Sequence, residues 1–231
     1  MNLDNTNWKY YFKIAPDGYL SASNLLYTPT INPEGTVMCM HYCSDPNYRN
    51  QDSTISEDLI NWFFNREVKF LKELSHLDST PDVYEVDIKN RKIFIEWNKE
   101  TLAQIVFDPS RNLDKELPDW QEQIKKILMD IKKEECWKMS LYPHSFYISK
   151  DKKLKTIDYY SVVPYTEQFI ERKIIEDIIG KDGAYRFDDS TTDDGYIDFK
   201  EFFKITVTKH LEVYWSDSPF KKIFKEVYQN E

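Results

Sequence analysis

Glycine is scarce in this chain. Five glycines stand among 231 residues, and no G-x-G-x-x-G runs through them. The chain therefore lacks the backbone cradle that a glycine-rich loop offers to phosphates. Cysteine is scarcer still, at positions 39, 43 and 136. So small and odd a number argues against a disulfide framework. No run approaches the ~20 apolar residues of a membrane-spanning helix. The opening residues, Met1-Asn2-Leu3-Asp4-Asn5, show no basic stretch followed by an apolar one, so no signal peptide is visible. The expected location is a reducing cytoplasm. Positive charge is also short: 31 Lys and Arg face 40 Asp and Glu, a formal net charge of -9. Such a surface repels phosphate backbones, so neither nucleic acid nor a membrane is an expected partner.

Apolar mass, by contrast, is ample. Hydrophobic residues make up 41% and aromatic residues 16% of the chain, which supports a real core and excludes wholesale disorder. The length suits one domain of two lobes, or two small domains sharing an interface. Lysine outnumbers arginine, and Asn and Ile are common, as in proteins from AT-rich genomes.

The first 57 residues read as β structure. A short strand is expected at 10–14, a turn at Pro16-Asp17-Gly18 and a returning strand from Tyr19. Pro33-Glu34-Gly35 reads as a second turn, and 36–43 as a strand with Val37, Cys39, His41 and Cys43 on one face. A polar loop fills 44–56. A helix is expected over 56–75, with Ser56 as N-cap and Glu57-Asp58 at its start. Its apolar stripe holds Ile60, Phe64, Leu71 and Leu74, with one acid, Glu67, on the same stripe. Strands are expected at 82–86 and 92–96, joined by a turn at Asn90-Arg91. The chain then becomes mainly helical. Helices are expected at 118–138, 165–180, 198–215 and 218–228, with a two-strand hairpin, 145–149 and 154–158, between the first two.

That order acquires meaning from four strings. Asn65-Arg66-Glu67-Val68-Lys69-Phe70-Leu71-Lys72-Glu73-Leu74 looks like a kinase C helix. Lys92-Ile93-Phe94-Ile95-Glu96-Trp97 looks like the strand entering a kinase hinge. Ser140-Leu141-Tyr142-Pro143-His144-Ser145-Phe146-Tyr147-Ile148 resembles the D-L-x-P-x-N catalytic loop. Lys155-Thr156-Ile157-Asp158-Tyr159-Tyr160 resembles the strand and D-F-G element. Over roughly residues 36–160 the chain thus resembles the protein kinase superfamily, in a degenerate form. Compact relatives with degraded catalytic loops occur in phage and bacterial genomes, and the composition is compatible with that origin. A phage-encoded protein would work in the host cytoplasm.

The resemblance implies an α+β bilobal fold. Residues 1–97 would form an antiparallel sheet with one helix, and residues 98–231 a helical lobe bearing a degenerate catalytic loop (138–149) and a D-F-G-like element (158–160). Phosphoryl transfer in the family needs a strand lysine held by the helix glutamate, a catalytic aspartate, and an asparagine and aspartate that hold metal ions. Laid on this chain, Met40 falls at the lysine position, Ser140 at the catalytic aspartate and Ser145 at the asparagine. Glu67 and Asp158 survive. Methionine donates no charge-assisted hydrogen bond, and neutral serine is a poor base and a weak metal ligand. Loss of one preorganised electrostatic group typically costs on the order of 10²–10³ in rate. In a rewired enzyme, Lys13 or another basic residue would reach the same spot from a different strand. The segment after Asp158 is also short, without an A-P-E, so a peptide substrate platform is not expected.

Two other patterns carry plainer readings. Cys39, His41 and Cys43 alternate on one strand face, but zinc needs a fourth ligand, and buried cysteine behaves as a small hydrophobe. Residues 190–201 resemble an EF-hand loop, with Gly195, Ile197 and Glu201 in register but Ser190 and Thr192 replacing acidic ligands. Tyr142 and His144 read as residues that pack or hydrogen-bond within their loop.

The leading expectation is a pseudokinase: a binding or regulatory module with an unidentified protein partner and no ordinary kinase turnover. Nucleotide contacts would fall to Glu67, to Asp158 and to the hinge residues Glu96, Trp97 and Asn98. ATP with magnesium or manganese would bind weakly or not at all, with Asp158 as metal ligand. The alternative is an atypical phosphotransferase or nucleotidyl transferase, using Asp158 and a metal ion on a non-peptide substrate. A third reading is a plain α+β interaction protein.

Overall fold

The computed structural model describes residues 3, 7–10, 26–43, 57–98, 100–138, 143–166, 169–171, 195–198, 222–223 and 226–227; at Leu59, 169–171 and 196–198 it describes the backbone alone. The turn at 16–18, the loop at 44–56, Lys13, Ser56, Ser140 and Tyr142 lie outside these residues, as do most of the expected 10–14 strand and of the three C-terminal helices.

Five strands form one antiparallel sheet: β1 (Lys9–Tyr10), β2 (Thr28–Ile31), β3 (Val37–His41), β4 (Val83–Asp87) and β5 (Lys92–Glu96), in the order β1-β2-β3-β5-β4. The β2–β3 turn is set by Asn32, whose Oδ1 accepts from the Thr36 and Val37 amides at 2.7 and 2.9 Å. Gly35 sits at φ 71 there, where a side chain is strained. Within β3 and β5 the alternation separates two faces. Met38, Met40, Tyr42, Ile93, Ile95 and Trp97 join the main core. Val37, Cys39 and Phe94 pack on the opposite side against Leu3 and Trp8.

Helix α1 (Glu57–Glu73) opens with Glu57 and Asp58, which favours a helix N-terminus. Its buried stripe comprises Ile60, Phe63, Phe64, Glu67, Phe70 and Leu71, and it packs into the same core as β3 and β5. The sheet is antiparallel and the Glu67 helix lies on it, as the kinase resemblance requires.

Beyond β5 follow α2 (Leu102–Val106), α3 (Leu113–Glu116) and α4 (Trp120–Lys133). Neither α2 nor α3 is among the expected elements; the Gln104 side chain accepts from the Thr101 amide and the Asn112 side chain from the Lys115 amide, so local caps sustain them. Helix α4 buries Trp120, Ile124, Ile127, Leu128 and Ile131. It ends five residues before the expected 138. Glu135 turns left-handed at φ 55, and Cys136–Lys138 becomes strand β6, which pairs with β9 (Val162–Pro164). A β-hairpin, β7 (Phe146–Ile148) and β8 (Leu154–Thr156), lies between them.

The expected 165–180 helix needs correction. Phe169–Glu171 is a strand, β10, antiparallel to β11 (Tyr196–Asp198). A pairing partner more than twenty residues away overrides local helical spacing there. Residues 222–223 and 226–227 are helical, with Ile223 and Val227 buried in the main core. No helix among the described residues is long and apolar enough to cross a membrane.

Candidate functional site

Two carboxylates meet inside the protein where α1 faces the segment after β8. Glu67 is 0% exposed and Asp158 1%. The hydrophobic stripe carries Glu67 inward, while the turn after Ile157 carries Asp158. Asp158 adopts a left-handed backbone at φ 65, a conformation that costs energy in a residue with a side chain. Lys138, fully buried, offsets that cost: its Nζ donates to the Ile157 and Asp158 carbonyls at 2.7 and 3.1 Å, with the Tyr159 ring 5.5 Å away.

The Asp158 carboxylate is filled by hydroxyls. Tyr27 donates to Oδ1 and Ser145 to Oδ2, each at 2.6 Å. Tyr27, immediately before β2, is itself 1% exposed. Glu67 Oε2 accepts from the Tyr42 hydroxyl at 3.1 Å and from the Tyr160 amide at 2.6 Å. Its Oε1 is buried and has no hydrogen-bond partner among the described residues. Burial, and then the Asp158 charge, push the Glu67 carboxyl up to about 7; the Tyr160 and Tyr159 amides and Lys138 pull the other way. Burial first, then the neighbouring carboxylates, raise the Tyr27 and Tyr42 phenols well above their ordinary range.

The residues named from sequence are placed as follows. Met40 is buried in the core, opposite Pro29 and Ile93. The group from that strand end that reaches Glu67 is Tyr42, two residues further along the same face. Ser145 meets Asp158, whereas Ser140 lies outside the described residues. At the connector, the Glu96 amide donates to Asp82 O and the Trp97 amide to Thr36 O. Trp97 and Tyr147, both buried, lie ring against ring at 4.8 Å. Glu96 pairs with Lys155, and Asn98 Nδ2 donates to Ile148 O. Two of the hinge amides are therefore engaged within the fold. His144 is buried, with its ring 5.9 Å from Phe107. Cys39 is buried on the far face of the sheet, and Cys43 contacts Thr28 at 3.7 Å.

These residues do not fit a metal–nucleotide complex. A divalent cation on Asp158 would have to displace or crowd the short hydroxyl bonds that both carboxylate oxygens accept, in a setting shielded from solvent. No group of three His, Cys, Asp or Glu side chains gathers as a metal site among the described residues.

Reading the sequence alone misses Tyr27, Tyr42, Lys138 and Arg66. Arg66 Nε donates to Tyr160 O at 3.2 Å and Nη2 to Val162 O at 2.5 Å, holding the segment after Asp158 on α1. Only Tyr42 left a local sign: it shares strand parity with Met38 and Met40.

No protein-family model matches the chain, and no curated protein does. Among solved structures it is similar to WbdD. A medium-resolution structure of "the bifunctional kinase-methyltransferase WbdD" superposes with a TM-score of 0.50 at 15% identity, over 72% of this chain and 36% of WbdD. Monomeric WbdD gives 0.49 at 13% identity, over 72% and 38%. WbdD with the kinase inhibitor LY294002 gives 0.48 at 15% identity, over 61% and 32%. The chain thus spans well under half of the WbdD length. With the antiparallel five-stranded sheet and α1 packed on it, the first of these likenesses shows the fold: α+β, protein-kinase-like and bilobal.

Proposed function

We propose that this chain is a pseudokinase: a kinase-like fold, catalytically degenerate, that acts as a binding or regulatory module. Residues 1–97 and 98–231 are its two lobes in this reading. The observation that carries it is the state of Asp158. Asp158, the carboxylate that the kinase resemblance assigns to the metal ion, accepts a short hydroxyl bond on each oxygen, from Tyr27 and Ser145, and is shielded from solvent. A nucleotide would also meet no glycine-rich loop, and Trp97 and Tyr147 pack on each other beside the hinge. The same ties favour a single closed arrangement of the lobes, which suits a surface that partners read.

The second reading is an atypical phosphotransferase or nucleotidyl transferase acting on a non-peptide substrate. The unpartnered Oε1 of Glu67 beside Asp158 favours it, because a buried carboxylate oxygen left without a donor is what a rebuilt cation site would contain. Titration calorimetry with ATP separates the two. The expected affinity is no better than about 0.1 mM, or roughly -5.5 kcal/mol, with little gain from magnesium or manganese. Micromolar, magnesium-dependent binding that disappears in Asp158→Ala would make the enzyme reading the better one.

A further inference from the structure

We infer that the outer edge of β4 is a docking surface for a cationic, extended segment of a partner protein. This deepens the binding-module reading and rests on it. Five large apolar residues are exposed among the described residues: Tyr10, Val83, Tyr84, Ile88 and Met129. Three of them, Val83 at 38%, Tyr84 at 43% and Ile88 at 63%, belong to β4 and the turn that follows it. Scattered exposed apolar residues are ordinary, and Ile88 lies at the far turn of the hairpin; Val83 and Tyr84, adjacent on the last strand of the sheet, are the pair a partner would cover.

The local backbone explains the exposure. Strand β4 ends the sheet order, so β5 pairs with only one of its edges. The register shifts between Val83, opposite Ile95, and Glu85, opposite Phe94. Tyr84 is the extra residue of this bulge, and the usual in-out alternation fails: Val83, Tyr84 and Glu85 are all exposed. A bulge re-aims a side chain, here a tyrosine, the residue type most suited to anchoring a partner through one face and one polar tip.

Charge selects the occupant. Asp82 and Glu85 flank Val83 and Tyr84, both are exposed, and neither has a cationic partner among the described residues. The electronegative setting is felt by Tyr84 itself, whose phenol is raised by partial burial and then by Glu96 and Asp82. Glu96 is offset by Lys155, and Lys89 and Lys92 stand at the far end of the hairpin near Asp87. The end around Tyr84 is therefore the acidic end. A second copy of this chain would bring the same two acids against each other in an isologous contact, and the whole chain carries -9. A segment with Lys or Arg between apolar residues satisfies both features: its cations meet Asp82, Glu85 and the Tyr84 ring, and its apolar side chains cover Val83.

The test uses the full chain and two capped peptides, one alternating Lys and Val, the other alternating Glu and Val. Fluorescence anisotropy is read at about 50 and about 300 mM salt, where screening differs strongly. The Lys peptide is expected to bind, at least tenfold more tightly at the lower salt, while the Glu peptide does not. Asp82→Lys with Glu85→Lys is expected to weaken the Lys peptide at least tenfold, and Tyr84→Ser to weaken it several-fold. These surface variants should keep the wild-type melting temperature, so a loss is not one of folding. Failure of the Lys peptide to bind, equal binding of both peptides, or unchanged binding by the charge-reversed variant would overturn the proposal. So would a homodimer in sedimentation analysis that the charge reversal dissociates. Such a failure leaves the pseudokinase reading intact, because that reading is carried by Asp158 and tested by the ATP titration, neither of which involves the β4 edge.

Discussion

Glu67 buries a carboxylate beside a second one, and its protonation is tied to folding. Its carboxyl rises from 4.5 to about 7, so the folded chain holds a proton that the unfolded chain releases. The stabilisation from that proton is complete below about pH 4.5 and is lost as pH rises through about 7. Its size is on the order of 3 kcal/mol. Glu67→Gln keeps the acceptor for Tyr42 and the Tyr160 amide and removes the charge. Between pH 5 and 8 the melting temperature of the wild type should fall relative to that of the variant. Parallel curves would mean that Glu67 does not titrate in this range. Tyr27 makes the second prediction at this scale. Tyr27→Phe deletes the donor to Asp158 Oδ1 and leaves a buried carboxylate short of one bond. Urea unfolding should show a loss of about 1–3 kcal/mol, whereas Tyr84→Phe at the surface should stay within about 0.5 kcal/mol. Neither contact with Asp158 or Glu67 was legible from Tyr27 or Tyr42. Tyrosines are common in this chain, and a buried hydroxyl is recognised by its partner rather than by its neighbours in sequence.

Helix α1 is the element that joins the sheet to the rest of the site. One stripe carries Phe63, Phe64, Phe70 and Leu71 into the core, and the same turns place Arg66 on the backbone beyond Asp158. The Arg66 guanidinium lies 4.6 Å from the Trp62 ring centroid and 5.3 Å from that of Phe70, so its donors are held in place before they bond. Arg66→Met retains much of that packing and removes the donors to Tyr160 O and Val162 O. Hydrogen exchange should accelerate about tenfold or more at amides 160–163, with α1 itself little changed. Equal protection in both proteins would remove Arg66 from its holding role. The limits of α1 were legible because an amphipathic stripe with an acidic start is local information. The end of α4 was not, because Glu135 takes a left-handed turn without glycine or asparagine to announce it. Strands β6, β9 and β10 were hidden for a related reason: three residues define too short a period, and each exists through a distant partner.

At the scale of the molecule, several bonds cross between the sheet and the chain beyond the hinge. Tyr27 reaches Asp158, Thr156 N donates to Ser79 O at 2.9 Å, Glu96 pairs with Lys155, and His76 contacts Glu134 at 3.0 Å. The main core also runs without a break from Met38 and Phe64 to Ile124 and Val162. Such continuity predicts one cooperative unfolding transition, with the calorimetric enthalpy matching the van't Hoff value. Two resolved transitions would show lobes that fold apart.

The amino-acid order alone determined the strand at 37–41, the helix at 57–73 and the two strands at 83–87 and 92–96, the inward face that holds Glu67, the acidic surface and the want of a phosphate-binding glycine loop. These are properties of composition and short-range periodicity, which each segment carries within itself. Tertiary structure alone decided what becomes of the polar groups on those inward faces. Tyr27 and Asp158 are 131 residues apart, and Glu67 and Tyr160 are 93. A buried carboxylate must find donors wherever closure of the chain delivers them, and no local pattern says which donors those will be.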